Sequence, residues 1–182
     1  MKLMNILKLN NGEKETISSF FNHVFSQSEG PAEGAILQKL TFELTDQIND
    51  NSITGFKLIN DDHEVMGCIF FTKLHFFEDV NAYLLAPVGV HPSHHQKGIG
   101  TKLIEYGVSY LNSMNVDFLM TYGDPNYYSR FSFQGVSEQT LPAPFPLSQP
   151  EGWLYKNINL KQIPTINGKP SCVEPFNNPD LW

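Results

Sequence analysis

Leu84-Leu85-Ala86-Pro87-Val88-Gly89-Val90-His91-Pro92-Ser93-His94-His95-Gln96-Lys97-Gly98-Ile99-Gly100-Thr101-Lys102-Leu103 is the stretch whose reading decides the fold. An apolar run with the character of a buried strand passes through a loop with two glycines and a lysine into the start of an amphipathic helix. Successive backbone N–H groups at a helix start carry about half a positive charge. They can form a nest for an anion. Gly98 and Gly100 have no side chain to hold a phosphate away from that backbone; the plainer alternative is that both glycines only cap and pack the helix. Pro87 cannot donate a ladder hydrogen bond, so the strand is expected to be kinked, bulged or splayed there. Two other phosphate motifs are excluded. The P-loop string Gly-x-x-x-x-Gly-Lys-Ser/Thr is absent. The dinucleotide fingerprint would need a glycine where Leu103 stands, and it belongs after the first strand rather than in mid-chain.

Working outward, residues 2–9 read as a first strand, ended by the turn signal Asn10-Asn11-Gly12. Ile17, Phe20, Phe21, Val24 and Phe25 then recur at helical spacing until Gly30-Pro31 breaks the pattern. A second helix is expected to carry Ile36, Leu37, Leu40 and Leu44 on one stripe. Residues 56–59 and 65–76 read as an antiparallel hairpin around Asn60-Asp61-Asp62, and residues 83–90 as the next strand. Beyond the loop, Leu103, Ile104, Gly107, Val108 and Leu111 give a helical stripe, and residues 116–121 a short strand. Residues 124–131 read as a short helix with Asp124 as N-cap and Pro125 in its first turn. Residues 141–150, with four prolines, read as an extended loop, and residues 153–160 as a return to the sheet.

A chain of 182 residues is expected to be a single domain, 1–182, since domains hold about 100–200 residues. A hydrophobic share of 41% with 13% aromatic residues excludes a disordered chain. The net charge of −7 argues against general nucleic-acid binding. Cys68 and Cys172 lie far apart, without the dense spacing of a secreted disulfide framework. No apolar run reaches the ~18 residues of a membrane span. The first nine residues are interrupted by Asn5 and Lys8, unlike a signal peptide. A soluble, cytoplasmic protein is the expectation.

His95-Gln96-Lys97-Gly98-Ile99-Gly100 behind a Val-x-Val-His-Pro strand end resembles the acetyl-CoA pyrophosphate loop of the GNAT superfamily of N-acetyltransferases, Arg/Gln-x-x-Gly-x-Gly/Ala. Gly123-Asp124-Pro125-Asn126-Tyr127-Tyr128-Ser129-Arg130-Phe131-Ser132-Phe133 resembles a stretch of the YhbS-type predicted acetyltransferases of that superfamily. The order of the two motifs and of the elements agrees, and the resemblance covers roughly residues 1–160. Two positions depart from the pattern: His95 stands where Arg or Gln is usual, and Ser132 where Gly is usual. Because the loop works mainly through backbone N–H groups, neither change implies loss of cofactor binding. The tail 161–182 carries no functional reading.

The resemblance implies an α/β fold of the GNAT type, a mixed twisted sheet with helices on both faces. It implies acetyl-CoA as co-substrate and no metal, with cofactor contacts from His95, Gln96, Lys97, Gly98, Ile99, Gly100 and Thr101. The strand before the loop splays in such proteins, and Val88 and Val90 would then pair with the pantetheine arm, as an added strand does. An N–H there could also polarise the thioester carbonyl. Asn126 resembles the residue that bonds the same arm, and Lys97 and Lys102 would add positive charge near the phosphates.

Transfer to an amine needs a neutral amine, stabilisation of the oxyanion and a proton for the leaving thiolate. Tyr128 is the family-matched proton donor. Its phenol at about 10 against a thiol at about 8.5 leaves a gap worth about 2 kcal/mol. Tyr127 is expected to point into packing. The strand of residues 83–90 holds no carboxylate, so the base stays open between a water chain, His75, Glu78 and His91. His91, His94 and His95 read as exposed loop histidines rather than as metal ligands. The implied function is acetyl transfer from acetyl-CoA to a primary amine of a small molecule or protein, by direct attack. The alternative is a catalytically silent acyl-CoA sensor or interaction domain, which needs the loop but not Tyr128. The expected partners are coenzyme A and an amine acceptor, with no nucleic acid and no membrane, and the chain is expected as a monomer or homodimer.

Overall fold

Helical stripes and strand alternation place most elements where their spacing puts them. The computed structural model describes residues 5–49, 51–160 and 162–182. Strand β1 (Asn5–Lys8) is shorter than the expected 2–9, of which residues 2–4 lie outside the described residues. Asn10 and Glu13 form a reciprocal capping box around the turn that follows. Helix α1 (Lys14–Glu29) buries Ile17, Phe20, Phe21 and Val24 on one face. Gly30, at φ 100°, turns the chain directly into α2 (Pro31–Asp46), where the missing N–H of Pro31 costs nothing in the first turn.

On α2 the buried stripe differs from the expected one. Leu37, Leu40 and Leu44 are buried, but Ile36 is 46% exposed. Gly34, Thr41 and Thr45 complete the inner face instead. The two threonine hydroxyls donate to the carbonyls of Leu37 and Thr41, at 2.6 Å each, and so enter the core satisfied. Gly34 is small for a reason. A Cβ there would stand 1.9 Å from Ser26 Oγ and 2.8 Å from the Asn22 carbonyl oxygen, so its absence lets α2 lie close against α1.

The remaining strands are β2 (Ile53–Ile59), β3 (Val65–His75), β4 (Ala82–Val90), β5 (Phe118–Tyr122), β6 (Gln134–Gly135), β7 (Trp153–Asn157) and β8 (Ser171–Cys172), with helices α3 (Ile99–Ser113) and α4 (Pro125–Tyr128). Contacts gather the chain into two compact units, one of residues up to Phe70 with Pro87–Gly107, the other of Phe71–Ala86 with Val108–Trp182.

In the first unit the strand order is β1-β2-β3-β4, and β1 pairs antiparallel with β2 from Asn5↔Ile59 to Lys8↔Phe56. The ring of Phe70 on β3 lies 6.0 Å from that of Phe21 on α1. Gly67, on the other face of the same strand, meets the start of α3: a Cβ there would come within 2.6 Å of Ile99 and 2.9 Å of Leu103. Helices therefore cover both faces, as the resemblance implies.

In the second unit the order is β3-β4-β5-β7-β6, with β8 on β3. β4 runs parallel to β5, while β7 is antiparallel to both β5 and β6, so the sheet is mixed. The prolyl loop of 141–150 and the tail pack against Trp153. Its indole N–H donates to the Leu141 carbonyl at 2.8 Å, and Trp182 meets its ring edge-on at 6.0 Å. Ile166, Phe176 and Trp182 are all buried, which gives the tail a packing role that local patterning does not reveal.

Replacing Gly34 by Ala forces Ser26 aside and presses on the Asn22 carbonyl, which does not yield. The expected loss is about 1–3 kcal/mol, read as a lower midpoint in urea unfolding at unchanged slope.

Candidate functional site

The glycine loop belongs to the first unit. β4 ends at Val90, and the N–H of His91 donates to the Met66 carbonyl of β3 at 2.9 Å. Alternation along a strand then directs the N–H and C=O groups of Val88 and Val90 away from β3. The ladder of β4 with β5 covers Ala82↔Phe118 to Leu85↔Thr121 and stops before Pro87.

A 3-10 turn, Pro92–His94, follows β4. His91 caps it, its Nδ1 accepting the Ser93 N–H at 3.3 Å. The same nitrogen lies 2.8 Å from Ser93 Oγ, so the turn engages that side of the ring. Burial pushes the His91 imidazole below its ordinary value, with the rings of His23 and His94 adding to the effect. The His23 ring stacks on it at 5.1 Å. The carbonyl of Val90, expected to be free, accepts from His95 Nε2 at 3.0 Å. His95 therefore ties the loop back to the strand end. Lys97 Nζ donates to the Ser93 carbonyl at 2.9 Å and so lies over the turn.

Gln96 and Gly98 have φ of 61° and 73°. At Gly98 an added Cβ would meet nothing within 4 Å, so the space above the backbone is open. The Gly98 carbonyl accepts the Lys102 N–H at 3.0 Å, which makes Gly98 the residue from which α3 starts. The N–H groups of Ile99, Gly100 and Thr101 are then the first-turn donors that have no partner within the helix.

Asn126 and Tyr128 belong to the second unit. Asp124 caps α4 by accepting the Asn126 N–H at 2.9 Å, and the Asn126 side chain is exposed. Tyr128 is 8% exposed. Its ring lies over Gly123, where a Cβ would come within 2.7 Å of it, and it meets Phe133 edge-on at 5.5 Å. Burial pushes the Tyr128 phenol up to about 12, against the pull of a hydrogen bond with Thr121. Tyr127 packs as expected, with the Arg130 guanidinium 4.6 Å from its ring centre. Ser132 occupies the left-handed region at φ 63°, a conformation that suits glycine.

Among the other candidates for the base, His75 is exposed at the end of β3, and Glu78 Oε1 accepts the Asn167 N–H at 2.9 Å. Among the described residues no group of three His, Cys, Asp or Glu side chains is placed to hold a metal, and no helix is long and apolar enough to cross a membrane. Thr121 is the residue that sequence reasoning missed. A buried threonine in a strand carries no signal beyond its β-propensity.

Residues 18–132 match the acetyltransferase (GNAT) family. Among curated proteins, the uncharacterized N-acetyltransferase YjhQ of Escherichia coli (strain K12) is 26% identical over 118 residues, covering 62% of this chain and 65% of that protein. The uncharacterized N-acetyltransferase YhbS of the same strain is 28% identical over 93 residues, covering 50% and 56%. These matches thus span less than two-thirds of each relative. Among solved structures, the YhbS protein from Escherichia coli in complex with CoA gives a TM-score of 0.72 at 19% identity, covering 97% of this chain and 92% of that one. A GNAT family acetyltransferase from Brucella melitensis in complex with acetyl-CoA gives 0.69 at 22% identity, covering 96% and 99%. Both share the fold.

Ser132→Gly removes the Cβ from a left-handed position. The variant is expected to be more stable by about 0.5–1 kcal/mol, the steric relief being partly offset by glycine's larger chain entropy, and thermal unfolding reads the gain.

Proposed function

The chain belongs to the acetyltransferase (GNAT) family, and on that premise we propose that it moves an acetyl group from acetyl-CoA to a primary amine by direct attack. The observation that carries this reading is the start of α3. Three first-turn N–H groups stand behind Gly98, whose open face a side chain would fill. The N–H groups of Ile99, Gly100 and Thr101 hold the pyrophosphate, and Gly98 admits it to the backbone. His95, tied to Val90, and Gln96, in its left-handed conformation, shape the loop, while Lys97 supplies positive charge. Val88 and Val90 pair with the pantetheine arm, Val90 through the remaining lone pair of its carbonyl, and Asn126 bonds the same arm. A backbone N–H on this segment polarises the thioester carbonyl.

Tyr128 keeps its proton throughout the physiological range and gives it to the departing thiolate. Direct attack is favoured over an acyl-enzyme because neither thiol is suited to act as nucleophile. Cys68 is fully buried, which pushes its thiol up, and burial raises that of the half-buried Cys172 as well. The acceptor is an amine delivered neutral, in a small molecule or a protein.

Gly98→Val introduces a β-branched side chain at positive φ and into the phosphate's path. A folded variant is expected to lose coenzyme A binding in calorimetry, and unchanged affinity would remove the loop from the site. A screen of amines with thiol-release detection identifies the acceptor. Coenzyme A binding with no turnover on any amine would favour a sensor. On an amine so identified, Tyr128→Phe keeps the ring but removes the proton, so its single-turnover rate is expected to fall by about 10²–10⁴, or about 3–5 kcal/mol. Acetyl-CoA affinity stays the same. A wild-type rate would pass the donor role to water or another residue.

A further inference from the structure

The ladder between β6 and β7 joins Gln134 to Tyr155 and Gly135 to Leu154. Lys156 is the next residue of β7, and its Nζ donates to the Phe131 carbonyl at 2.8 Å. β7 thus takes hold of the chain before β6 begins, through a side chain where a ladder would use a backbone N–H. Lys156 is half-buried, and burial lowers its ammonium from the ordinary lysine value. Among the described residues no ion pair involves it. The Phe131 carbonyl is what fixes this cation.

Phe131 ends the helical run that begins at Pro125, where α4 passes directly into a 3-10 turn, Ser129–Phe131. Carbonyls at such an end have no following helical N–H, and a lysine can bond them. Inside the run the parts hold one another. The Arg130 guanidinium lies 4.6 and 5.5 Å from the ring centres of Tyr127 and Phe131, and its Nε donates to the Tyr127 carbonyl at 3.3 Å. Tyr128 meets Tyr127 and Phe133 edge-on at 5.1 and 5.5 Å. The run is tied at its start by Asp124, which accepts the Asn126 N–H at 2.9 Å, and at its end by Lys156. Tyr128 stands between the two ties.

We propose that Lys156 is a positioning residue for the proposed reaction: its bond to the Phe131 carbonyl ties residues 125–131 to the sheet and so sets where the Tyr128 hydroxyl stands. The proposal rests on Tyr128 as proton donor and adds the group that keeps the donor in place. Without the ammonium the Phe131 carbonyl loses its partner. The run, packed within itself, then shifts as one body about its remaining tie at Asp124. Asn126 adjoins that tie and moves least, while Tyr128 lies nearer the freed end. A displacement of about 1 Å at a reacting group can cost about 10²-fold in rate, so the tie bears on the chemistry out of proportion to its strength.

The experiment is a double-mutant cycle on the full chain, with an amine that the thiol-release screen identifies. Lys156→Met keeps most of the stem and removes the ammonium. Its single-turnover rate is expected to fall about tenfold to 10²-fold, while acetyl-CoA affinity in calorimetry stays within about twofold. Lys156→Arg keeps a cationic donor and is expected to restore the rate. In the Tyr128→Phe background Lys156→Met is expected to cost about twofold at most, because the hydroxyl through which it acts is already gone. A merely structural role would lower the rate equally in both backgrounds. Lys156→Gln takes the place of Lys156→Met if that variant does not fold. A wild-type rate in the folded variant, a loss carried by affinity instead of rate, an equal loss in both backgrounds, or Lys156→Arg as slow as Lys156→Met overturns the proposal and leaves Tyr128's role standing. A wild-type rate for Tyr128→Phe, or coenzyme A binding without turnover on any amine, overturns the donor reading and this proposal with it.

Discussion

The hydroxyl of Thr121, donating to the Leu85 carbonyl where the β4–β5 ladder ends, is the interaction that fixes how β4 leaves β5. β5 ends at Tyr122, one residue past that pair, while β4 runs on to Val90. Here the last carbonyl is met by a side chain, and β4 continues to Val90 with its later amides directed away from β3. The polar backbone of that segment still needs partners. One is already visible: His95 donates to the Val90 carbonyl. A side chain from the loop thus occupies part of what the resemblance reserves for the pantetheine arm. A carbonyl has two lone pairs, so the two roles are compatible.

The acidic composition and the proposed anionic co-substrate are reconciled locally. Lys97 lies over the 3-10 turn, on the Ser93 carbonyl, and His91 is held toward its neutral form by burial and by neighbouring imidazoles. Side-chain cations therefore contribute less to the loop than its lysine and histidine content suggests. On the proposed reading the weight falls on backbone N–H groups at the start of α3, whose dipoles are fixed by the helix and do not titrate. On that reading His95 can stand where the resemblance has Arg or Gln. At that position the side chain's service is to fasten the loop to β4.

Much of this was legible in the sequence because it is local. The face of α1, the Asp124 cap, the prolyl loop and the glycine loop each announce themselves within a few residues. Ile36 was misplaced because apolar character alone does not say which face a helix buries; Gly34, Thr41 and Thr45 belong to that face because α1 lies close against it. β6 and β8 are two residues each, too short for alternation to show. The tail was illegible because the place of Trp182 is decided by Trp153 and Phe176, partners it meets only once folded. Pro87 was legible as a defect because proline lacks the N–H a ladder needs, and the ladder of β4 with β5 ends two residues before it. Thr121 gave no sign at all.

On the proposed reading of Tyr128 as proton donor, its acidity sets a quantitative demand that its surroundings must meet. A phenol at about 12 facing a thiol of ordinary acidity near 8.5 leaves about 3.5 units, or about 5 kcal/mol, against proton transfer. That is as much as general acid catalysis usually contributes, so burial alone would cancel the benefit of the donor. Two effects narrow the gap. Desolvation acts on both oxygen and sulfur anions in the same direction, so a thiolate released into a dry site becomes more basic as the phenol becomes less acidic. A hydrogen bond to the phenolate then acts on one side of the balance only, favouring transfer by about 1.5–3 kcal/mol. Burial is useful on these terms because it keeps the proton on Tyr128 until the thiolate exists. A fully exposed phenol would have the smaller gap but would leave both groups to bulk water.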